Sequence, residues 1–251
     1  HDALLCAIKV ERHLGQATEQ LLGAQVGSDH GCSGDCGILS RAQVTGDKTM
    51  ELYGIAQSRA FRPLWLLHEL GLPFTHHRLD FRDASINEPA YRALNPNARV
   101  PTLVDGDLVL YESMAINLYL ARRYGQEAGL WPDSVEAEGL TWQWSFWVMT
   151  EVEQSLLTVL MHSRVLDEEK RDAHKVSRHR GVLKAPFAVL DEALDGRDYL
   201  VADRFTVADL NVAAVLSWCR PARLSLAQTP RLDAWLKRCL DRPARKQAQR
   251  S

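Results

Sequence analysis

Arg99-Val100-Pro101-Thr102-Leu103-Val104-Asp105-Gly106-Asp107-Leu108-Val109-Leu110-Tyr111-Glu112-Ser113 holds two apolar runs parted by a turn, and its reading decides the fold. Asp105-Gly106 tolerates positive φ, so residues 101–104 and 108–111 read as the strands of a β-hairpin. Ser113 then reads as the cap of a helix running through Ile116, Leu118 and Leu120 to Tyr124, with Gly125 at its end. Upstream, residues 51–54 read as a short strand. Phe61, Leu64, Trp65, Leu67 and Leu70 follow at helical spacing, with Ser58 as N-cap and Gly71 as the stop before Pro73. Residues 74–79 read as a second strand, and 88–94 as a short helix ended by Asn95-Pro96. Strand, helix, strand, short helix, hairpin and helix make an α/β domain.

These elements, over residues 50–125, resemble a thioredoxin-like domain. A linker over 126–133 leads to residues 134–251, which carry only helix signals: an α/β domain followed by an all-helical C-terminal domain. Residues 135–163, with Trp142, Trp144, Phe146, Trp147, Leu156 and Leu160, read as one long helix. Residues 168–195 read as a second, closed by Gly196 and bent at Pro186. Thr206-Val207-Ala208-Asp209 opens a third, because Thr with an acid three residues on satisfies the free amides of a helix start. Thr229-Pro230 opens a fourth that runs through Trp235 and Leu240 to Pro243.

Residues 1–49 contain no Trp, Tyr, Phe or Pro and could not build a core of their own. They read as a poorly structured extension, non-native as readily as native, with a short helix at most over residues 3–8. The 30 basic and 32 acidic residues are mixed along the chain and leave a formal charge of −2, so no overall field recruits nucleic acid or an anionic membrane. No apolar stretch approaches the roughly 20 residues that span a bilayer. Five cysteines, an odd number at no framework spacing, fit a reducing, cytoplasmic setting. Cys32 and Cys36 near His30 lack a second pair of ligands, so no metal is expected.

Three patches stand in order: Met50-Glu51-Leu52-Tyr53 through Ser58 to Glu69-Leu70-Gly71; Arg99-Val100-Pro101-Thr102-Leu103 with Glu112-Ser113; and Tyr199-Leu200-Val201 with Phe205-Thr206-Val207-Ala208-Asp209. Together they resemble the serine-type cytosolic glutathione transferases (theta- or phi-like, or bacterial) over residues 50 to about 245. Glutathione ends in an α-ammonium and an α-carboxylate, which call for a carboxylate and for helix-start amides with a hydroxyl; Glu112 and Ser113 supply both. The resemblance further implies a cis Val100-Pro101 peptide, with the Val100 backbone pairing with the cysteinyl residue, and Arg99 near the glycyl carboxylate. Thr206 and Asp209 match the family's structural capping motif.

The resemblance places the catalytic hydroxyl at Ser58. A free thiol near pKa 8.5 is mostly protonated at neutral pH, and lowering it by two units takes roughly 2.7 kcal/mol. One hydrogen bond to a charged acceptor, about 1.5 to 3 kcal/mol, suffices. Tyr53 is the rival donor, where tyrosine-type members carry a phenol. Arg62 either orients the active loop or pairs with a carboxylate, and the pairing is favoured. Trp142, Trp144, Trp147, Met161 and His162 are candidate walls for the electrophile, none of them assigned. The family implies a glutathione-dependent, detoxifying, homodimeric enzyme with a hydrophobic electrophile as second substrate. Open beside it stand a non-catalytic binding or scaffold protein of the same fold, and a glutathione-dependent dehalogenase, isomerase or peroxidase.

Overall fold

The computed structural model describes residues 50–251, which form one compact unit. The expectations for residues 1–49, including the helix at 3–8 and the absence of a metal at Cys32 and Cys36, lie outside the described residues.

Strand β1 (Met50–Tyr53) runs through the middle of a four-stranded sheet. It pairs in parallel with β2 (Phe74–His77) and antiparallel with β3 (Thr102–Asp105), which turns through Gly106 into β4 (Leu108–Tyr111). Along β1 the side chains alternate, Met50 and Leu52 buried, Glu51 and Tyr53 half-buried, as a pleat with one core face requires. Helix α1 (Phe61–Leu70) buries Leu64, Trp65, Leu66 and Leu67 and ends on Gly71 at φ 63°. Helix α2 (Pro89–Leu94) follows a short 3-10 turn at Ala84–Asn87 that the sequence reading missed. Helix α3 (Ser113–Tyr124) packs on α1 through Ile116 and Leu120.

Two expected caps are displaced. Ala60, not Ser58, precedes the first helical residue of α1, and Ser113 is the first residue of α3 instead of its cap; Glu112 stands before it at φ 72°. Before α1 a turn over residues 54–60 separates strand from helix, whereas before α3 the single residue Glu112 does, so in neither place is the expected serine at the boundary.

The expected helix at 135–163 is continuous but not uniform. It comprises α4 (Val135–Trp147), capped by Ser134, then a π-helical segment (Val148–Glu153), α5 (Gln154–Leu160) and a second π-helical segment (Met161–Val165). The expected helix at 168–195 is divided. Residues 168–170 form a separate turn, and α6 (Ala173–Val182) breaks at Leu183 from α7 (Lys184–Ala193). Pro186 has no N–H to offer the carbonyl of Val182, so the ladder fails one turn before the proline. Helix α8 (Val207–Leu216) is buried along its whole length. Helix α9 (Pro230–Leu240) ends where expected, but a further helix, α10 (Pro243–Arg250), follows and lies against α1. Pro at its first position and buried Ala244 and Ala248 one turn apart were the available signals. Among the described residues no helix is long and apolar enough to cross a membrane.

The cap at Thr206 joins three parts of the helical domain. Asp209 accepts from the Thr206 amide and hydroxyl on one oxygen, and from the Leu200 amide and Trp235 Nε1 on the other, all within 3.2 Å. Burial pushes its carboxyl above the ordinary range, and those four donors oppose the shift. Thr206→Val, which removes one of them, should lower stability by about 1 kcal/mol, read as a lower urea midpoint at unchanged slope.

Candidate functional site

Three chain segments converge beside the ends of β1 and β3. Gly54, at φ 135°, closes β1; a Cβ there would stand 2.5 Å from Ala60 Cβ and 3.2 Å from Val100 Cβ, so only glycine lets the loop and the β3 approach meet. The approach itself is pinned from within. Tyr91 and Asn95 both donate to the carbonyl of Arg99, at 2.7 Å each, and both reach Thr102 Oγ1. The Val100-Pro101 peptide is cis.

A cleft of about 240 Å³ opens there, lined by Asn95, Arg99, Val100, Pro101, Glu112 and Ser113 together with Arg59, Met149 and Glu153. It brings together every residue expected to contact glutathione except Ser58. Ser113 is buried, and its oxygen accepts from Arg62 Nη1 at 3.0 Å, which leaves its own O–H to donate. Arg62 itself is buried and pairs through Nη2 with Glu153 at 2.5 Å; Arg59 meets the other oxygen of Glu153 at the same distance. The expected carboxylate partner of Arg62 is therefore present, and it comes from the helical domain. Burial pushes the Arg62 guanidinium below its ordinary range while Glu153 opposes that shift. Glu153 closes the first π-helical segment, and Met149 lies within it, so that widened turn faces the cleft with both.

Ser58 sits in the turn before α1, half-buried and next to Arg59. Its oxygen accepts from the Ala60 amide at 3.1 Å and its hydroxyl donates to the Ile55 carbonyl at 2.7 Å. Tyr53 lies elsewhere. Its phenol donates to Glu51 at 2.9 Å and its ring stacks on His77 with centroids 4.2 Å apart, above a separate cleft bordered by Tyr91 and Leu94. Burial and the Glu51 carboxylate push the phenol up to about 12, the wrong direction for a group that must give its proton toward a thiolate.

Among the candidate walls, Trp144 is buried against Trp147, Trp142 is exposed, and His162 accepts from the Asp172 amide. None of these lines the cleft; the long helix contributes Met149 and Glu153 instead. Sequence reading missed both, as well as Arg59. An acid inside an apolar helix face was the one visible hint for Glu153.

A family model described as the glutathione S-transferase N-terminal domain matches residues 48–122, and one for the C-terminal domain matches residues 148–243. Glutathione S-transferase 3 of Zea mays is 34% identical over 205 residues, covering 78% of this chain and 90% of the relative. The theta class glutathione S-transferase of the citrus canker pathogen Xanthomonas axonopodis pv. citri, solved with glutathione bound, superposes with a TM-score of 0.75 at 28% identity, covering 81% of this chain and 98% of that one. Ure2p in complex with glutathione gives a TM-score of 0.72 at 25% identity, over 82% and 96% of the two chains. With both domain models matched in order over most of the described chain, and with the cleft lying where the two halves meet, this chain belongs to the glutathione S-transferase family.

Proposed function

We propose that the chain binds glutathione in the cleft at Glu112 and Ser113, holds its thiol as thiolate with Ser58, and transfers it to a hydrophobic electrophile. The observation that carries this reading is the polarity of the cleft. Glu112 offers a carboxylate to the γ-glutamyl ammonium. Ser113 keeps a free O–H, with the charge of Arg62 behind it, for the adjacent carboxylate. Arg99 and Arg59 stand on the rim where the glycyl carboxylate would lie. The Xanthomonas and Ure2p structures, each with glutathione bound to a chain of this fold, support the same ligand here.

Chemically, the protein's task is small and electrostatic. The Ser58 hydroxyl turns from the Ile55 carbonyl to the thiolate sulfur, exchanging a neutral hydrogen bond of about 0.5–1.5 kcal/mol for a charge-assisted one of about 1.5–3 kcal/mol. The proton leaves to solvent, and the thiolate attacks the electrophilic carbon as the leaving group departs. We read the enzyme as a cytoplasmic homodimer in keeping with its family, with domains divided near residues 126–133.

The test is the thiolate ultraviolet absorbance of bound glutathione across pH. A thiol titrating well below the free value of about 8.5 is expected; a bound thiol that titrates at the free value would sink the transferase reading. That second outcome would favour a glutathione-binding protein without turnover, a reading suggested by the commitment of the Ser58 hydroxyl to Ile55.

A further inference from the structure

Tyr91, a buried residue of α2, has a ring and a hydroxyl with different neighbours. Its ring lies 5.9 Å from that of Tyr53, and both tyrosines border the separate cleft, of about 460 Å³, where Tyr53 stacks on His77. Its hydroxyl reaches the residues that lead into β3, and each hydrogen there has one assignment. Tyr91 has a single O–H, which donates to the Arg99 carbonyl at 2.7 Å, so the 2.9 Å contact with Thr102 Oγ1 is donated by the threonine. Asn95 Nδ2 donates to the same carbonyl at 2.7 Å and to Thr102 Oγ1 at 3.3 Å. Asn95 Oδ1 accepts from the Asn97 amide, and that bond sets which end of the side-chain amide is nitrogen. Thr102 to Tyr91, Tyr91 to Arg99, and Asn95 to Arg99 and Thr102 close a circuit among three buried side chains.

The circuit holds residues 99 and 102 and so brackets Val100 and Pro101. Between these anchors the Val100 amide and carbonyl form no hydrogen bond with another described residue, and Val100 lines the glutathione cleft. Bare backbone beside a cleft is a pairing surface, and it binds best when it is held in place before the ligand arrives. The segment needs such holding. Ala98, next to Arg99, stands at φ 51°, a left-handed conformation that a residue with a Cβ keeps only when its surroundings fix it.

We infer that Tyr91 is a positioning residue of the glutathione cleft: its hydroxyl holds the Arg99 carbonyl so that the Val100 backbone is presented, already in place, to the cysteinyl residue of the ligand. Tyr53 then serves as the packing partner that seats the Tyr91 ring, a role apart from the thiol. The inference rests on the reading of the cleft as a glutathione site, and it assigns to Tyr91 an effect on binding the peptide part of the ligand and none on activating its sulfur.

The experiment compares the full chain with Tyr91→Phe, which removes one oxygen and keeps the ring, and with Thr102→Val, which breaks the same circuit at its other end. Binding is followed by NMR titration with two ligands. S-methylglutathione has a blocked sulfur and so reports the peptide contacts alone; γ-glutamylmethylamide has the γ-glutamyl group without a cysteinyl carbonyl. Both variants should bind S-methylglutathione about threefold to tenfold more weakly than the parent and raise the KM for glutathione by the same factor. Affinity for γ-glutamylmethylamide, the pKa of the bound thiol and kcat at saturating glutathione should stay as in the parent. Equal S-methylglutathione affinity in parent and Tyr91→Phe would overturn the assignment, and so would equal weakening of both ligands, the mark of a cleft loosened as a whole. A parent that binds S-methylglutathione without turning over glutathione would sink only the transferase step, and the two ligands would still decide the role of Tyr91. A parent that fails to bind it would overturn the glutathione reading and this inference together.

Discussion

Ser58→Ala is expected to raise the pKa of bound glutathione toward the free thiol value and to slow addition to 1-chloro-2,4-dinitrobenzene by about tenfold to a hundredfold near neutral pH. The range follows from the hydrogen bonds at that residue. A charge-assisted bond to sulfur of about 1.5–3 kcal/mol is set against the bond to the Ile55 carbonyl that it replaces, about 0.5–1.5 kcal/mol, so the net gain is about 1 kcal/mol at mid-range and about 2.5 kcal/mol at most, which corresponds to roughly one to just under two pKa units. The sign on the pH axis is fixed by the thiolate. A depressed thiol pKa keeps the nucleophile charged below neutrality, and the rate falls only as pH drops through that value. In the variant the same fall should begin about one to two pH units higher, while rates at alkaline pH converge. An unmoved profile, with the rate loss uniform across pH, would assign Ser58 to holding the turn through Ala60 and Ile55 and not to the thiol.

Glu153→Ala should cost more stability than any other single replacement around the cleft, about 3–5 kcal/mol. Glu153 and Arg62 are both buried, with side-chain exposures of 4% and 2%, and removing the carboxylate leaves the guanidinium with Ser113, Met149 and the face of Trp218 as its remaining partners. Arg59, at 43% exposed, adds little to that figure because water screens it. At about 2–4 °C per kcal/mol for a domain of this size, the melting temperature should fall by roughly 10 °C or more in scanning calorimetry. Glutathione affinity should fall as well, since Arg62 would no longer be held behind the Ser113 hydroxyl. A melting temperature within about 2 °C of the parent would show that water reaches Arg62 and that the pair is not the brace described. Replacing Arg62 and Glu153 together by Met and Leu should recover much of the stability without recovering the affinity.

The order of elements was legible from residues 50–251 because it rests on local rules. The hairpin needs Asp105-Gly106 between two apolar runs; α1 needs a periodic face ended by glycine; the cap at Thr206 needs an acid three residues on. Glu112 and Ser113 were legible for the same reason, since a carboxylate and a hydroxyl at the start of a helix form one short segment. Where reading went astray, a tertiary or geometric term had outweighed the pattern. Pro186 breaks its helix one turn upstream because the missing amide is the partner of Val182. The cap at Ser58 shifted because the turn before α1 is longer than periodicity suggests, and the one at Ser113 because the connection from β4 to α3 is a single residue, Glu112. Helix α10 was overlooked because its apolar face is only two alanines, adequate when α1 supplies the opposite surface.

The chain's own pattern thus determined the α/β domain with its helical partner, the family, and the pairing of Glu112 with Ser113 that lines the cleft, all through spacings of a few residues. Only the tertiary structure decided that Glu153, 91 positions from Arg62, joins the helical domain to the cleft, and that Tyr53 contacts Glu51 and His77 beside a different cavity. Such pairings depend on where distant helices pack, and a buried carboxylate declares its partner only when the fold has excluded water from both.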